Sequence, residues 1–295
     1  MQAGLAVLLL CLLQAQSLPA QEIATLTVVE GPLRVIRGTT VLRGAEGVKL
    51  HAGDILESSS AGFVQLEFVA GTVVALGPST RLFLFRTEGK RGDAPSELVV
   101  LSGWLKGETS ANAGAYCYAS PVLAATTRGG TVVLHTSSAA AELFVESGPA
   151  SIEQVSSDGH VAAPVEAKAG QFFSRRAGKG IALNPRPDSA FVDSMPRPFR
   201  DTLPSRLARF PKGTEPKRDH EVSYSEVQPW LTMAPTWRKG FVDRFQPRLK
   251  DAAFRKALEA HVKDYPEWEP VLHPEDQHLQ TSPAAPDDSA PARRR

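Results

Sequence analysis

Cysteine is nearly absent from this chain: 295 residues hold two, Cys11 and Cys117. The first lies inside an apolar N-terminal run. With that run set aside a single thiol remains, and no intramolecular disulfide can form. Net charge is nearly absent as well, at +1, which leaves no long-range field to draw the chain to nucleic acid or an anionic membrane. No segment beyond the N-terminal run approaches the ~20 successive apolar residues of a transmembrane helix. Also missing are a Gly-x-Ser-x-Gly nucleophile elbow, a phosphate-binding glycine loop and a dinucleotide fingerprint. Glycine and proline, by contrast, number 23 each, and their placement organises the rest of the sequence.

The N-terminal run, Leu5 to Leu13, has the length of a signal-peptide apolar core and is too short to span a bilayer. Small residues follow at Ala15, Ser17 and Ala20, so residues 1–20 read as a signal peptide cleaved after Ser17 or Ala20. Lipidation at Cys11 is disfavoured, because Leu10 precedes it and Leu12-Leu13 follow. The mature chain is expected to carry no membrane span and to be periplasmic or secreted. Cys117, between Tyr116 and Tyr118, reads as a strand thiol with no base beside it to activate it.

From residue 23 to 183 the dominant period is two. Val64, Leu66 and Phe68 alternate with Phe63, Gln65 and Glu67, and Leu98-Val99-Val100-Leu101 and Leu143-Phe144-Val145 are apolar runs of strand length. Turn signals recur between them at Arg43-Gly44, Gly53-Asp54, Gly71-Thr72, Arg91-Gly92-Asp93, Gly129-Gly130-Thr131 and Asp158-Gly159. Many short strands so spaced predict a mainly β sandwich or solenoid-like stack. An internal echo divides it into two related units, about 23–90 and 96–183. Glu30-Gly31-Pro32 returns as Glu146-Ser147-Gly148-Pro149 and Ala52-Gly53 as Ala169-Gly170, and each glycine pair is 22 positions apart. Gly31, Gly53, Asp54, Gly71, Gly130, Gly148 and Gly170 are therefore expected to be structural turn residues.

The order of these pieces resembles the FecR domain of bacterial envelope proteins. The resemblance rests on Glu30-Gly31-Pro32-Leu33-Arg34-Val35, Ala52-Gly53-Asp54-Ile55, Gly62 to Phe68 and Gly71-Thr72-Val73-Val74. It extends through Ser120-Pro121-Val122, Gly130-Thr131-Val132 and Phe144-Val145-Glu146-Ser147-Gly148, covering about residues 28–173. Ser120, the inserted Ser147 and Val132 depart from the family pattern. The resemblance implies a non-catalytic envelope interaction or ligand-sensing module. Family members that regulate sigma factors do so through a cytoplasmic segment and a transmembrane helix, and this sequence is expected to have neither.

Past Leu183 the composition changes. Residues 184–222 are proline-rich, with aromatic residues at Phe191, Phe199 and Phe210, and read as a linker that packs along the β domain. Residues 223–272 carry helical spacing: Val227, Trp230 and Leu231, then Phe241, Phe245 and Leu249, then Phe254, Leu258 and Val262. Pro247 is expected to interrupt the long stretch and Asp251 to cap the helix after it. Residues 279–295, rich in Pro, Ala and Asp, read as a disordered tail.

Few residues here suggest chemistry. His273, Glu275, Asp276 and His278 could ligate a metal, but they lie at the edge of the tail without rigid support, so no metal or cofactor is expected. Asp54 with Glu57 could pair carboxylates, although turn and strand roles account for both. Basic residues from Arg238 to Lys256 are interleaved with Asp243 and Asp251, which excludes an unbroken nucleic-acid stripe. Trp230, Trp237 and Trp268 are candidate anchors for a partner. The expected partner is an envelope protein or a glycan. In an alternative reading as a polysaccharide- or peptidoglycan-binding module, Phe83, Phe85, Trp104, Tyr116 and Tyr118 would form an exposed stacking face.

Overall fold

A computed structural model describes residues 21–86, 95–156 and 163–274. The signal peptide read at 1–20, the turns at Arg91-Gly92-Asp93 and Asp158-Gly159, the metal candidates Glu275, Asp276 and His278, and the tail lie outside those residues.

The chain is mainly β, with short helices gathered at its C-terminal end. The strands run in order as β1 (Glu22–Glu30), β2 (Leu33–Arg37), β3 (Thr40–Arg43), β4 (Lys49–His51), β5 (Ile55–Ser58) and β6 (Phe63–Phe68). Then come β7 (Val73–Leu76), β8 (Arg81–Arg86), β9 (Ser96–Thr109), β10 (Tyr116–Ala119), β11 (Leu123–Thr127) and β12 (Gly130–Thr136). The last are β13 (Ala140–Ser147), β14 (Ala150–Gln154), β15 (Val165–Ala167), β16 (Phe172–Arg176), β17 (Ala182–Asn184) and β18 (Lys217–Glu221).

Their pairings make two sheets. Sheet A has the order β17-β16-β13-β12-β9-β7-β6-β1-β4. Sheet B has the order β15-β14-β11-β10-β9-β8-β5-β2-β3-β18. Every pair is antiparallel except β9 with β10. Strand β9 belongs to both sheets: its first half pairs with β8 and β10, and from Gly103 onward it pairs with β12. Gly103 makes that crossing at φ +97°, where a Cβ would sit 2.5 Å from the Thr80 backbone, so only glycine fits the bend.

Both sheets are apolar on both faces. Leu26, Leu66, Leu84, Leu98, Val100, Leu134 and Phe173 fill the space between them. Ile36, Ile55, Phe83, Val99 and Leu101 project from the outer face of sheet B, and Val73, Trp104, Val133 and Phe172 from that of sheet A. This explains why Leu98-Val99-Val100-Leu101 is unbroken rather than alternating: successive residues enter different cores. Two outer layers must therefore be supplied, and the C-terminal third supplies them.

Residues 188–207 form a strap across sheet A. Helix α1 (Ser189–Ser194) starts at Asp188, whose side chain accepts from Phe191 N at 2.8 Å. Phe191 then packs 5.2 Å from Trp104 and 4.9 Å from Phe172. Beyond it the strap is held by polar groups buried on the sheet. Lys106, fully buried, donates to Phe199 O and Asp201 O at 2.9 Å each and pairs with Glu146 at 3.0 Å. Glu67 accepts from Ser205 Oγ at 2.5 Å and Arg206 N at 2.7 Å. Burial alone would raise its carboxyl pKa. These donors outweigh burial and hold it below the ordinary value.

A helical cap covers sheet B: α2 (Tyr224–Leu231), α3 (Pro235–Arg238), α4 (Phe241–Phe245), α5 (Ala252–Glu259) and α6 (Glu269–Leu272). Pro247 lies in a 3-10 turn, Gln246–Lys250, between α4 and α5, and Asp251 caps α5 by accepting from Ala253 N and Phe254 N. Arginines tie the cap down. Arg244 donates to the carbonyls of Ile36, Gly38 and Gly53, at 2.6 to 2.9 Å. The three tryptophans expected to anchor a partner are instead inside the molecule. Trp230, Trp237 and Trp268 are 0%, 6% and 1% exposed, because the outer face of sheet B needs apolar cover and they provide it.

Candidate functional site: a groove between sheet B and the helical cap

Large residues on the outer face of sheet B sit under the cap on the β5–β8 side, where Phe83 meets Phe241 at 5.1 Å and Trp230 at 6.3 Å. Toward β10, β11 and β14 the outward residues shrink to Cys117, Ala119 and Ala124. Space opens there. A cavity of about 580 Å³ lies beside one of about 280 Å³, with Val155, Ala234 and Trp237 walling both. The larger volume is within the range of pockets that take small organic molecules, ~300–1,000 Å³. Its walls come from distant parts of the chain: Val99 and Leu101 from β9, Val122 from the β10–β11 turn, Thr232 and Met233 from the cap, and the β16–β17 turn, Ala177 to Gly180.

The ends of the groove differ in charge. Arg175 and Lys179 border the larger cavity, and no Asp or Glu is among the described residues lining it. Glu97 and Glu153 border the smaller one. Arg175 is 5% exposed. It lies on β16 opposite Ala141 and reaches across the gap between the sheets. Its Nε donates to Lys179 O at 3.0 Å, and its Nη1 to Val155 O at 2.6 Å and to Val122 O. Burial depresses its pKa, and no described carboxylate pairs with it.

A third cavity, about 470 Å³, shares Arg175, Lys179 and Gly180 but opens on sheet A. Across its floor His135, Glu142 and Ser174 form a cross-strand row. His135 stacks on Trp104, centroids 4.1 Å apart, and its Nδ1 lies 3.1 Å from Glu142. The carboxylate stands between histidine and serine, so the imidazole is not placed to take the serine proton as a catalytic triad requires. Among the described residues no group of three or more His, Cys, Asp and Glu could hold a metal.

The turn residues singled out from the sequence are spread through the fold. Gly31, Gly53, Gly71, Gly130, Gly148 and Gly170 all have positive φ, from +73° to +120°. Gly130 and Gly148 come from different turns yet meet: a Cβ on Gly130 would lie 2.2 Å from Ser147 O. The echo between units is local. Gly31 and Gly148 both lead from sheet A to sheet B, whereas Gly53 leads from A to B and Gly170 from B to A. Asp54 is 1% exposed and accepts two bonds from Arg37, at 3.0 and 2.7 Å, besides one from His51 N. Its partner Arg37 had no signal in the sequence.

The rings proposed for a glycan face do not form one. Phe83, Trp104, Tyr116 and Tyr118 are buried and Phe85 is half-buried. Arg175 and Lys179 were missed. The alternation Phe173-Ser174-Arg175 did hold a signal, since it sets an arginine on the inward face beside a core phenylalanine.

No family model and no curated protein matches this chain. Two crystal structures of a candidate anti-sigma factor from Parabacteroides distasonis ATCC 8503 are similar to it, at 12% and 11% identity and TM-scores of 0.39 and 0.38. Each match covers 47% of this chain and 62% of the other, so the chain spans less than two thirds of those neighbours. A likeness at that level carries no inference about what this chain does.

Proposed function

We propose that this chain is a non-catalytic, exported binding module of the cell envelope, with the groove between sheet B and the cap as its binding site. One observation carries the reading: an apolar groove of ligand size ends at a buried arginine that has no carboxylate partner among the described residues. The envelope assignment is supported by the FecR-like order of turns and strands and by the apolar run from Leu5 to Leu13. Burial of the aromatic rings favours the groove over a sugar-stacking platform.

The groove can be closed without touching the core. Thr232 is exposed at its wall, and Thr232→Trp places an indole in the opening. Native protein exposed to an envelope extract, washed and denatured should release a small molecule detectable by mass spectrometry, and the variant should not. Identical sets of released compounds from both proteins would sink the assignment.

A further inference from the structure

The chemistry of the groove narrows the kind of ligand, given that the groove is the binding site. A guanidinium carries five N–H donors. In Arg175 the Nε and Nη1 hydrogens go to the carbonyls of Lys179, Val122 and Val155, and Nη2 has no acceptor among the described residues. Carbonyl dipoles solvate a cation but do not neutralise it, and a buried charge without a counter-ion is costly. Lys179, exposed on the β16–β17 turn, makes no ion pair among the described residues and lines the same cavity. Two positive charges therefore converge on a cavity whose lining, among the described residues, holds no acid.

The apolar part of the wall includes Val99, Leu101, Val122, Met233 and Trp237, and its uncharged polar members are Ser138, Gln154, Ser156 and Thr232. Val99 and Leu101 lie on β9 between β8 and β10, so the strand backbone at this wall is already paired. A peptide could not add to the sheet as a strand at that point. An alkyl chain needs no strand pairing.

We propose that the groove binds a single-chain carboxylate amphiphile, its head between Arg175 and Lys179 and its tail along Val99, Leu101 and Trp237. The charge pattern sets the orientation, since Glu97 and Glu153 at the far end would repel the head. An uncharged chain of equal length would lose the ion pairs, and a cationic one would be repelled.

Calorimetric titration of the full chain with dodecanoate, below its micelle concentration, tests this against 1-dodecanol. Dodecanoate is expected to bind at least tenfold more tightly than the alcohol. Lys179→Glu, a surface change that leaves the Arg175 clamp intact, should weaken dodecanoate about tenfold and leave dodecanol unchanged, while Thr232→Trp should weaken both. Equal affinity for the two ligands, with both still blocked by Thr232→Trp, would overturn the anionic head and leave the groove assignment standing. Dodecanoate binding untouched by Lys179→Glu and by Thr232→Trp would overturn both. Binding of a hexapeptide with a free C-terminal carboxylate but not of dodecanoate would replace the alkyl chain with a peptide and overturn the proposal.

Discussion

Glu67 shows how one buried side chain sets the behaviour of a segment. It holds the strap through Ser205 Oγ and the Arg206 and Leu207 amides, and its folded pKa lies below the ordinary value of 4.5. A carboxylate with a depressed folded pKa contributes stability that is complete above the unfolded value. That stability is lost as pH falls from 4.5 through the lower folded value. Acid unfolding followed by circular dichroism should therefore begin below pH 4.5 in the native chain. Glu67→Gln should be less stable at pH 7 and show a flatter dependence through the acid range. Parallel pH curves for the two proteins would contradict the role assigned to this carboxylate.

Two glycines chosen from the sequence for the same reason should respond differently. Gly53 has φ +87° with nothing within 4 Å of a built Cβ, so Gly53→Ala should cost about 1–2 kcal/mol, from left-handed strain alone. Gly130 has φ +120° and the Ser147 carbonyl in the way, so Gly130→Ala should cost more, with roughly 1–3 kcal/mol of backbone strain added to the clash. Urea unfolding of both variants measures the difference. The turn signal was legible at both positions. Contact between two turns distant in sequence was not, because local spacing does not encode which backbones approach.

Among elements, the strap and the cap matter most. Each covers a sheet face that would otherwise expose large apolar side chains, Trp104 and Phe172 on one side and Ile55, Phe83 and Val99 on the other. Truncation after Leu183 removes both covers. The product is expected to bind an apolar-surface dye strongly and to associate in sedimentation, since contiguous exposed apolar surface drives aggregation. A monodisperse truncated product that does not bind the dye would show that sheets A and B need no cover. Within the cap, Trp230→Ala should cost about 3–5 kcal/mol, the usual range for removing a buried tryptophan. The indole fills space against Phe83, and its Nε1 donates to Glu57 at 3.2 Å. Helical spacing, the Pro247 break and the Asp251 cap could be read locally. That the tryptophans face inward could not, because an apolar helix face looks the same whether its partner is its own sheet or another molecule.

At the scale of the whole molecule, no helix among the described residues is long and apolar enough to cross a membrane. Export is a separate expectation with its own measurement. The intact mass of protein recovered from the periplasm of an expressing bacterium should correspond to a chain beginning at Leu18 or Gln21, and a mass that retains Met1 would count against cleavage. The sequence by itself determined the mainly β character of residues 23–183 and the helical spacing of the C-terminal region, because period, proline and glycine act through neighbours a few residues away. It did not show that Lys217–Glu221, inside the segment read as a linker, joins sheet B as β18. The tertiary structure alone decided that both sheet faces are covered from within, that β9 crosses between sheets at Gly103, and that Arg175 stands buried at the end of a groove. Each of these depends on residues tens to hundreds of positions apart, and their proximity is fixed by which apolar faces must be hidden from water.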